Sequence, residues 1–295
     1  MNEPLPSFHP SPSTPKLKLP PGACDAHVHV FGPHKRFPYA EGRPFTPHDA
    51  PKEKLFDMHA QMGVQRCVIV QSTCHGFDNS VVADAIAAKN GDYCGVALAP
   101  ANVSDAELAR LDALGFCGVR FNFMDHLGKG AKIAEVIALG ERLAKIGWHL
   151  QVHFAAALIE ELAPWLKRSA VPVVIDHMGR VNASLGIDQP AFRALLDLMR
   201  DPRFHVKVSG SERISQQSAP HADAIPFARK LVEEFGERCF WGTDWPHPNL
   251  GVVPDDGMLV DLLAEIAPTE AARQALLVDN PQRFYRFPRK LSKQS

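Results

Sequence analysis

Short runs rich in β-branched and apolar residues alternate along this chain with longer stretches whose apolar positions recur every three to four residues. The runs are "ACDAHVHVF", "RCVIVQS", "YCGVALAP", "CGVRFNF", "HLQVHF", "VPVVIDH", "FHVKVSG" and "RCFWGTD". The intervening stretches, such as "DNSVVADAIAAKNG", "SDAELARLDALG", "IAEVIALGERLAKIG" and "AALIEELAPWLKRS", have helical periodicity. Candidate N-caps precede several of them: Asn79 or Asp78, Ser104, and Thr269 before the last helix. Eight strand–helix units over ~260 residues predict a (β/α)₈ TIM barrel, a fold of about 250 residues. Strand one is expected at 24–31 and strand eight at 238–243. An open doubly wound sheet is the weaker reading, because no glycine-rich G-x-G-x-x-G turn follows any strand.

Proline divides the rest. Residues 1–22 form a proline-rich leader, and 23–290 are expected to form one barrel domain. The segment "GPHKRFPYAEGRPFTPHDAP" after strand one is irregular and long for a loop, and loops of this length are often functional. Composition then narrows the class. At 45% hydrophobic and 22% charged residues, the chain has the balance of a water-soluble enzyme. A net charge of -1 gives no electrostatic reason to expect nucleic acid or an acidic membrane as partner. No apolar stretch approaches the ~20 residues of a membrane span. The first residues lack the basic-then-apolar layout of a signal peptide, so the expected location is the cytoplasm. Six scattered cysteines with no Cys-x-x-Cys pair are read as reduced, buried thiols.

A barrel of this kind places its chemistry at the C-terminal ends of its strands. Strand one ends with His27 and His29, strand five near His153, strand six with His177 and strand eight with Asp244. His27 and His29 alone prove little: 14 histidines in 295 residues give about 0.7 His-x-His pairs by chance. A single strand-end histidine is more often structural than a ligand, and Asp244 alone could cap a turn. Five metal- or proton-capable side chains on four strand ends at one rim are harder to obtain by accident. Neutral imidazoles with one carboxylate suit zinc or a similar divalent ion.

"DAHVHVFGP", "VIDHMGR" and "WGTDWPHPN" resemble the lactone-hydrolase branch of the amidohydrolase superfamily, with its 2-pyrone-4,6-dicarboxylate lactonases and 4-sulfomuconolactone hydrolases. The likeness extends over nearly the whole chain, through "VIVQSTCHGFDN", "GVRFNF" and "DNPQRFY". It implies a hydrolase that opens the lactone ring of an anionic intermediate of bacterial aromatic-compound degradation with metal-activated water. Asp244 would be the general acid/base and His177 would stabilise the oxyanion. His27, His29, His153 and Asp244 would hold one divalent metal, with zinc preferred and a metal-free mechanism as the alternative. Arg120, Arg213 and Thr73 would grip acidic groups of the substrate, and His126, His75 and Asn249 complete the candidate substrate-binding set. Three positions depart from the dicarboxylate lactonases: His153 and Phe45 stand where they carry tyrosines, and His126 where they carry an arginine. Because those lactonases work without a metal, His153 is the departure that points to one. Arg120 stands at the strand-four end where binuclear relatives bridge two metals, which favours a single ion. The competing expectations are a metal-dependent decarboxylase or amide hydrolase on the same scaffold, and a non-catalytic binding barrel. Oligomeric state is left open.

Overall fold

Eight parallel strands in sequential order, β1-β2-β3-β4-β5-β6-β7-β8, form the sheet of this computed structural model, which describes residues 7–127, 130–285 and 287. The first six residues of the leader and the last three of the expected barrel domain lie outside the described residues. The strands are β1 Cys24–Val28, β2 Arg66–Val70, β3 Tyr93–Leu98, β4 Phe116–Phe123, β5 His149–Phe154, β6 Val173–Ile175, β7 Phe204–Lys207 and β8 Cys239–Phe240. Helices cover them: α1 Lys52–Met62, α2 Ser80–Ala87, α3 Asp105–Ala113, α4 Ile133–Ile146, α5 Ile159–Leu166, α6 Pro190–Met199, α7 Ser211–Ile214 and α8 Ile225–Phe235. Buried Val, Ile and Leu side chains of the strands pack against the apolar faces of these helices, as in Val119, Leu150 and Val206 with Val136, Leu162 and Leu195.

Backbone bonds join the first strand to the end of the last. Ala26 N donates to Trp241 O at 2.8 Å, Asp244 N to His27 O at 2.8 Å and His29 N to Trp245 O at 2.7 Å. Thr243 adds its own N–H and hydroxyl to the Asp25 carboxylate, at 3.1 and 2.6 Å. Gly242 permits the approach, since a Cβ there would lie 2.5 Å from His27 N. These bonds bring the two ends of the sheet together as a (β/α)₈ barrel.

Strands one and eight are both shorter than 24–31 and 238–243, and the reason is this seam. After Phe240 the chain leaves the ladder to place Thr243 and Asp244, and after Val28 the backbone of His29 turns to Trp245. Within β1 a bulge shifts the register between Asp25 and Val28. It re-aims the strand: Asp25 faces His59 of α1, at 3.4 Å, while His27 faces Lys207 inside the barrel. Ser104 and Thr269 cap their helices, accepting from Glu107 N and Ala272 N at 3.1 Å each. Asn79 does not cap. Its side chain spans both backbone groups of Leu98, at 2.9 and 3.1 Å, and Asp78 instead accepts from Ser80 N. All six cysteines are free, and five are buried. The segment after β1 is irregular, and a bridge pairs its Ala50 with Phe31.

Candidate active site at the C-terminal rim

Three imidazoles converge on one carboxylate oxygen. Asp244 Oδ1 lies 3.6 Å from His27 Nε2, 3.5 Å from His29 Nε2 and 3.6 Å from His177 Nε2. The donor atoms of His27, His177 and Asp244 all lie within 4.8 Å of one another. Asp244 holds a positive φ of 64°, which turns its side chain into the barrel just after the seam.

The other ring nitrogen of each histidine is engaged. His29 Nδ1 meets Val70 O at 2.7 Å, His177 Nδ1 meets Ser209 Oγ at 3.0 Å, and His153 Nδ1 meets Asn122 Oδ1 at 3.2 Å. His27 Nδ1 lies between Lys207 Nζ at 3.2 Å and Asp176 Oδ1 at 3.3 Å. Such outer contacts orient imidazoles and leave Nε2 for chemistry. Indeed His27 Nε2 and His153 Nε2 are buried with no hydrogen-bond partner. Since Asn122 Oδ1 can only accept, His153 donates through Nδ1 and keeps a lone pair at Nε2.

Burial dominates the electrostatics. It pushes His27 down to about 3, with the charge of Lys207 acting the same way. His153 and His177 are held well below the ordinary imidazole range, again first by burial. For Asp244 burial works toward protonation, but Arg213 and the surrounding histidines win and hold its carboxyl well below the usual range. The rim therefore offers neutral imidazoles and an ionised carboxylate at neutral pH.

A cavity of ≈ 270 Å³ opens beside this cluster. His29, Thr73, Arg120, His126, His153, His177, Arg213, Asp244 and Asn249 all border it, with Phe45. His27 lies beneath, fully buried. His75 does not border it: its Nε2 accepts from Gly32 N at 3.2 Å and its Nδ1 faces Pro38 O at 3.1 Å. Those bonds tie down the loop after β1, so the substrate-binding expectation for His75 gives way to a structural one. Both named arginines are already engaged. Arg213 donates to Asp244 Oδ2 from Nε at 2.6 Å and from Nη2 at 2.5 Å, and to Pro248 O at 2.6 Å. Arg120 Nε donates to Asp176 Oδ2 at 2.8 Å. The rim trio of donors within 4.8 Å of one another includes His177 and not His153.

Sequence reasoning missed several residues. Arg180 borders the cavity at a φ of 56° and makes no hydrogen bond or ion pair with another described residue. Burial, then Arg213, pushes it down to about 10. It closes the "VIDHMGR" stretch, three residues after His177. Asp176, one residue before His177, receives Arg120 and Gln151. Lys207 is fully buried inside the barrel; a lone charge in the run "FHVKVSG" was its signal. Behind Asp244, the carboxyl of Glu212 is buried with neither oxygen hydrogen-bonded, and His247 pairs with Asp256 at 2.9 Å. Glu212, Asp244 and His247 form a second group of donors within 4.8 Å.

A parallel barrel carries its chemistry at the C-terminal rim, which is where this histidine–carboxylate focus stands. The amidohydrolase family profile matches residues 24–287, and the chain belongs to that family. It is 45% identical over 289 residues to a 2-pyrone-4,6-dicarboxylate hydrolase of Comamonas testosteroni, covering 94% of each chain. It is 39% identical over 277 residues to a 4-sulfomuconolactone hydrolase of Hydrogenophaga intermedia, covering 92% of this chain and 90% of that one. Among solved structures, one from Pseudomonas putida, provisionally described as a 2-pyrone-4,6-dicarboxylic acid hydrolase, is 31% identical. It superposes with a TM-score of 0.81 over 92% of this chain and 100% of the other. Among the described residues no helix is long and apolar enough to cross a membrane.

Proposed function

We propose that this chain is a lactone hydrolase that opens the ring of a small anionic substrate at the C-terminal rim of the barrel. The observation that carries the reading is the convergence of three imidazole Nε2 atoms on Asp244 Oδ1, at 3.5–3.6 Å, beside an arginine-lined cavity. The relatives at 45% and 39% identity are named for 2-pyrone-4,6-dicarboxylate and 4-sulfomuconolactone, and both names describe lactones with acidic groups. An intermediate of aromatic-compound degradation of that type is the substrate class. Arg180, which no described residue pairs, and Arg120 are the groups we assign to its acidic substituents, with Thr73, His126 and Asn249 around them.

A divalent ion fits the donors. Two buried Nε2 atoms lack partners, the Nδ1 atoms are occupied, and an ionised carboxylate stands at the focus. We assign one ion, zinc, to His27, His29, His153 and Asp244. When bound it would lower the pKa of a water to about 7 and polarise the carbonyl, which is what a base as weak as Asp244 requires.

The protein's own groups carry the rest. Arg213 holds Asp244 Oδ2, leaving Oδ1 to take the proton of the attacking water. His177 Nε2, on the same side, faces the carbonyl oxygen as negative charge develops there. Asp244 then returns the proton to the ring oxygen that leaves, and the product is an acyclic acid. We place the reaction in the cytoplasm, where six free thiols stay reduced.

The test is turnover by purified protein against anionic lactones, matched aryl carboxylates and amides, with metal content measured on the same sample. Ring opening of a lactone is the expected result. Decarboxylation of an aryl acid with every lactone left intact would overturn the reading.

A further inference from the structure

His27 Nδ1 has two neighbours that ask opposite things of it. Lys207 is fully buried, and its Nζ lies 3.2 Å from Nδ1, 2.9 Å from Gln151 Oε1 and 3.6 Å from Asp176 Oδ1. An ammonium can only donate, so a bond from Lys207 requires a bare Nδ1 and puts the ring proton on Nε2. That N–H then faces Asp244 Oδ1, 3.6 Å away. Asp176 Oδ1, 3.3 Å from Nδ1 on the other side, can only accept when ionised. A bond to it requires the proton on Nδ1 and leaves a lone pair at Nε2.

Two unsatisfied atoms mark this choice. Asp176 Oδ1 and His27 Nε2 are both buried with no hydrogen-bond partner. Moving the ring proton from Nε2 to Nδ1 satisfies Asp176 Oδ1 and turns Nε2 into an electron-pair donor, which a cation can use. The surroundings hold both neighbours in place. Asp176 Oδ2 receives Arg120 Nε at 2.8 Å and Gln151 Nε2 at 3.2 Å, and Gln151 Oε1 receives Lys207. Neither competitor can swing away.

We propose that Lys207 and Asp176 compete for His27 Nδ1 and so set the tautomer that decides whether His27 is a metal ligand. Lys207 favours the arrangement without an ion, in which Nε2–H faces Asp244. Asp176 favours the arrangement with one. Both are positioning residues acting through His27, and the inference rests on the ion site proposed above.

The test uses zinc alone as probe. Zinc affinity is measured by chelator competition, and stoichiometry by elemental analysis, for wild type, Lys207→Met and Asp176→Asn. Outer contacts of this kind change metal affinity by about 10–100-fold. Lys207→Met should bind zinc about tenfold tighter than wild type, and Asp176→Asn about tenfold weaker. Nitrogen-15 spectra of the histidines, with the His27 signal identified by its loss in His27→Gln, should show Nε2–H in ion-free wild type and Nδ1–H when zinc is added. If wild type binds zinc and Lys207→Met binds it equally, the tautomer proposal falls while the ion site stands. If neither binds zinc, the ion site falls. A switch of His27 to Nδ1–H in Lys207→Met then still supports the tautomer control, and an unchanged ring overturns it. Should Lys207→Met not fold, the wild-type spectra decide alone, and Nδ1–H in the ion-free protein overturns the proposal.

Discussion

The two ends of β5 each carry a buried histidine, His149 at the N-terminal end and His153 at the C-terminal end. Burial is the first cause lowering both, and a nearby positive charge comes second, Lys207 for His149 and Arg120 for His153. Each ring leaves its Nε2 without a hydrogen-bond partner, and each borders a cavity. The cavity at the His149 end is the larger, ≈ 390 against ≈ 270 Å³. What differs is the company. His149 lies among Phe284 and Tyr285, with ring centroids 5.0 and 5.6 Å away, while the His153 end leads through His177 to Asp244. Both groups of metal-capable donors among the described residues contain Asp244, which borders the same cavity as His153, although neither group includes His149 or His153 itself. Neither cavity size nor a perturbed histidine distinguishes the chemical end. Convergence of free donors on one ionised carboxylate does.

Removing that carboxylate should give the largest effect. Asp244→Asn keeps the shape but cannot take a proton, and kcat should fall by about 10²–10⁴-fold or more. Zinc content must be read on the same sample, because the amide also weakens a ligand. A variant that keeps its zinc and loses less than ~3-fold in kcat would remove Asp244 from the base role.

Next come the two histidines near it. His153→Ala should weaken zinc binding by at least about tenfold, the scale seen even for outer contacts. His177→Ala should keep the ion and lower kcat. Finding zinc lost in the second and retained in the first would exchange the two roles.

Arg213→Lys should cost about tenfold in kcat, since one charge-assisted hydrogen bond to a carboxylate contributes about 1.5–3 kcal/mol and lysine cannot reproduce the fork on Asp244. A raised KM with unchanged kcat would instead place Arg213 on the substrate.

The smallest effect on activity belongs to the other end. His149→Leu should leave kcat within about twofold, as a residue remote from the reacting atoms does. Its signature is in stability. His149 is held neutral down to about 3 in the fold, against about 6.5 for an ordinary histidine. As pH falls below 6.5 the unfolded chain therefore takes up a proton that the folded ring refuses, and stability is lost toward pH 3. His205, pushed down to about 4 by burial, adds a second such proton. Denaturant unfolding at pH 7 and pH 5 should show His149→Leu less acid-sensitive than wild type by up to one proton. An unchanged slope would break the assignment.

Much of this architecture was legible because it rests on local patterns. The strand runs, Ser104 and Thr269 as caps, and His27, His29, His153, His177 and Asp244 at one rim all follow from alternation and strand-end position. The residues that pattern could not reach are defined by their neighbours across the barrel. Asn79 is typed as a cap, but Leu98 offers it two backbone groups. His75 looks like a site histidine until Gly32 and Pro38 take both nitrogens. The bulge in β1 depends on its pairing with β2, and the engagement of Arg213 by Asp244 joins residues 31 apart in sequence. Arg180 and Asp176 flank His177 in the chain, yet only the fold shows that one faces a cavity and the other braces Lys207.

The bond from Asp244 N to His27 O ties the first strand to the end of the last and also seats the carboxylate under the histidines. Closure of the barrel and completion of the site are the same event. On a ribosome, where the amino-terminal half emerges first, the early strands can begin to pair with the histidines of β1 already in view. The growing chain nonetheless carries those histidines without their carboxylate until Asp244 itself has been made. On the function proposed above, activity would wait for that same stitch, and a polypeptide released before Asp244 would have neither a sealed barrel nor its proton carrier.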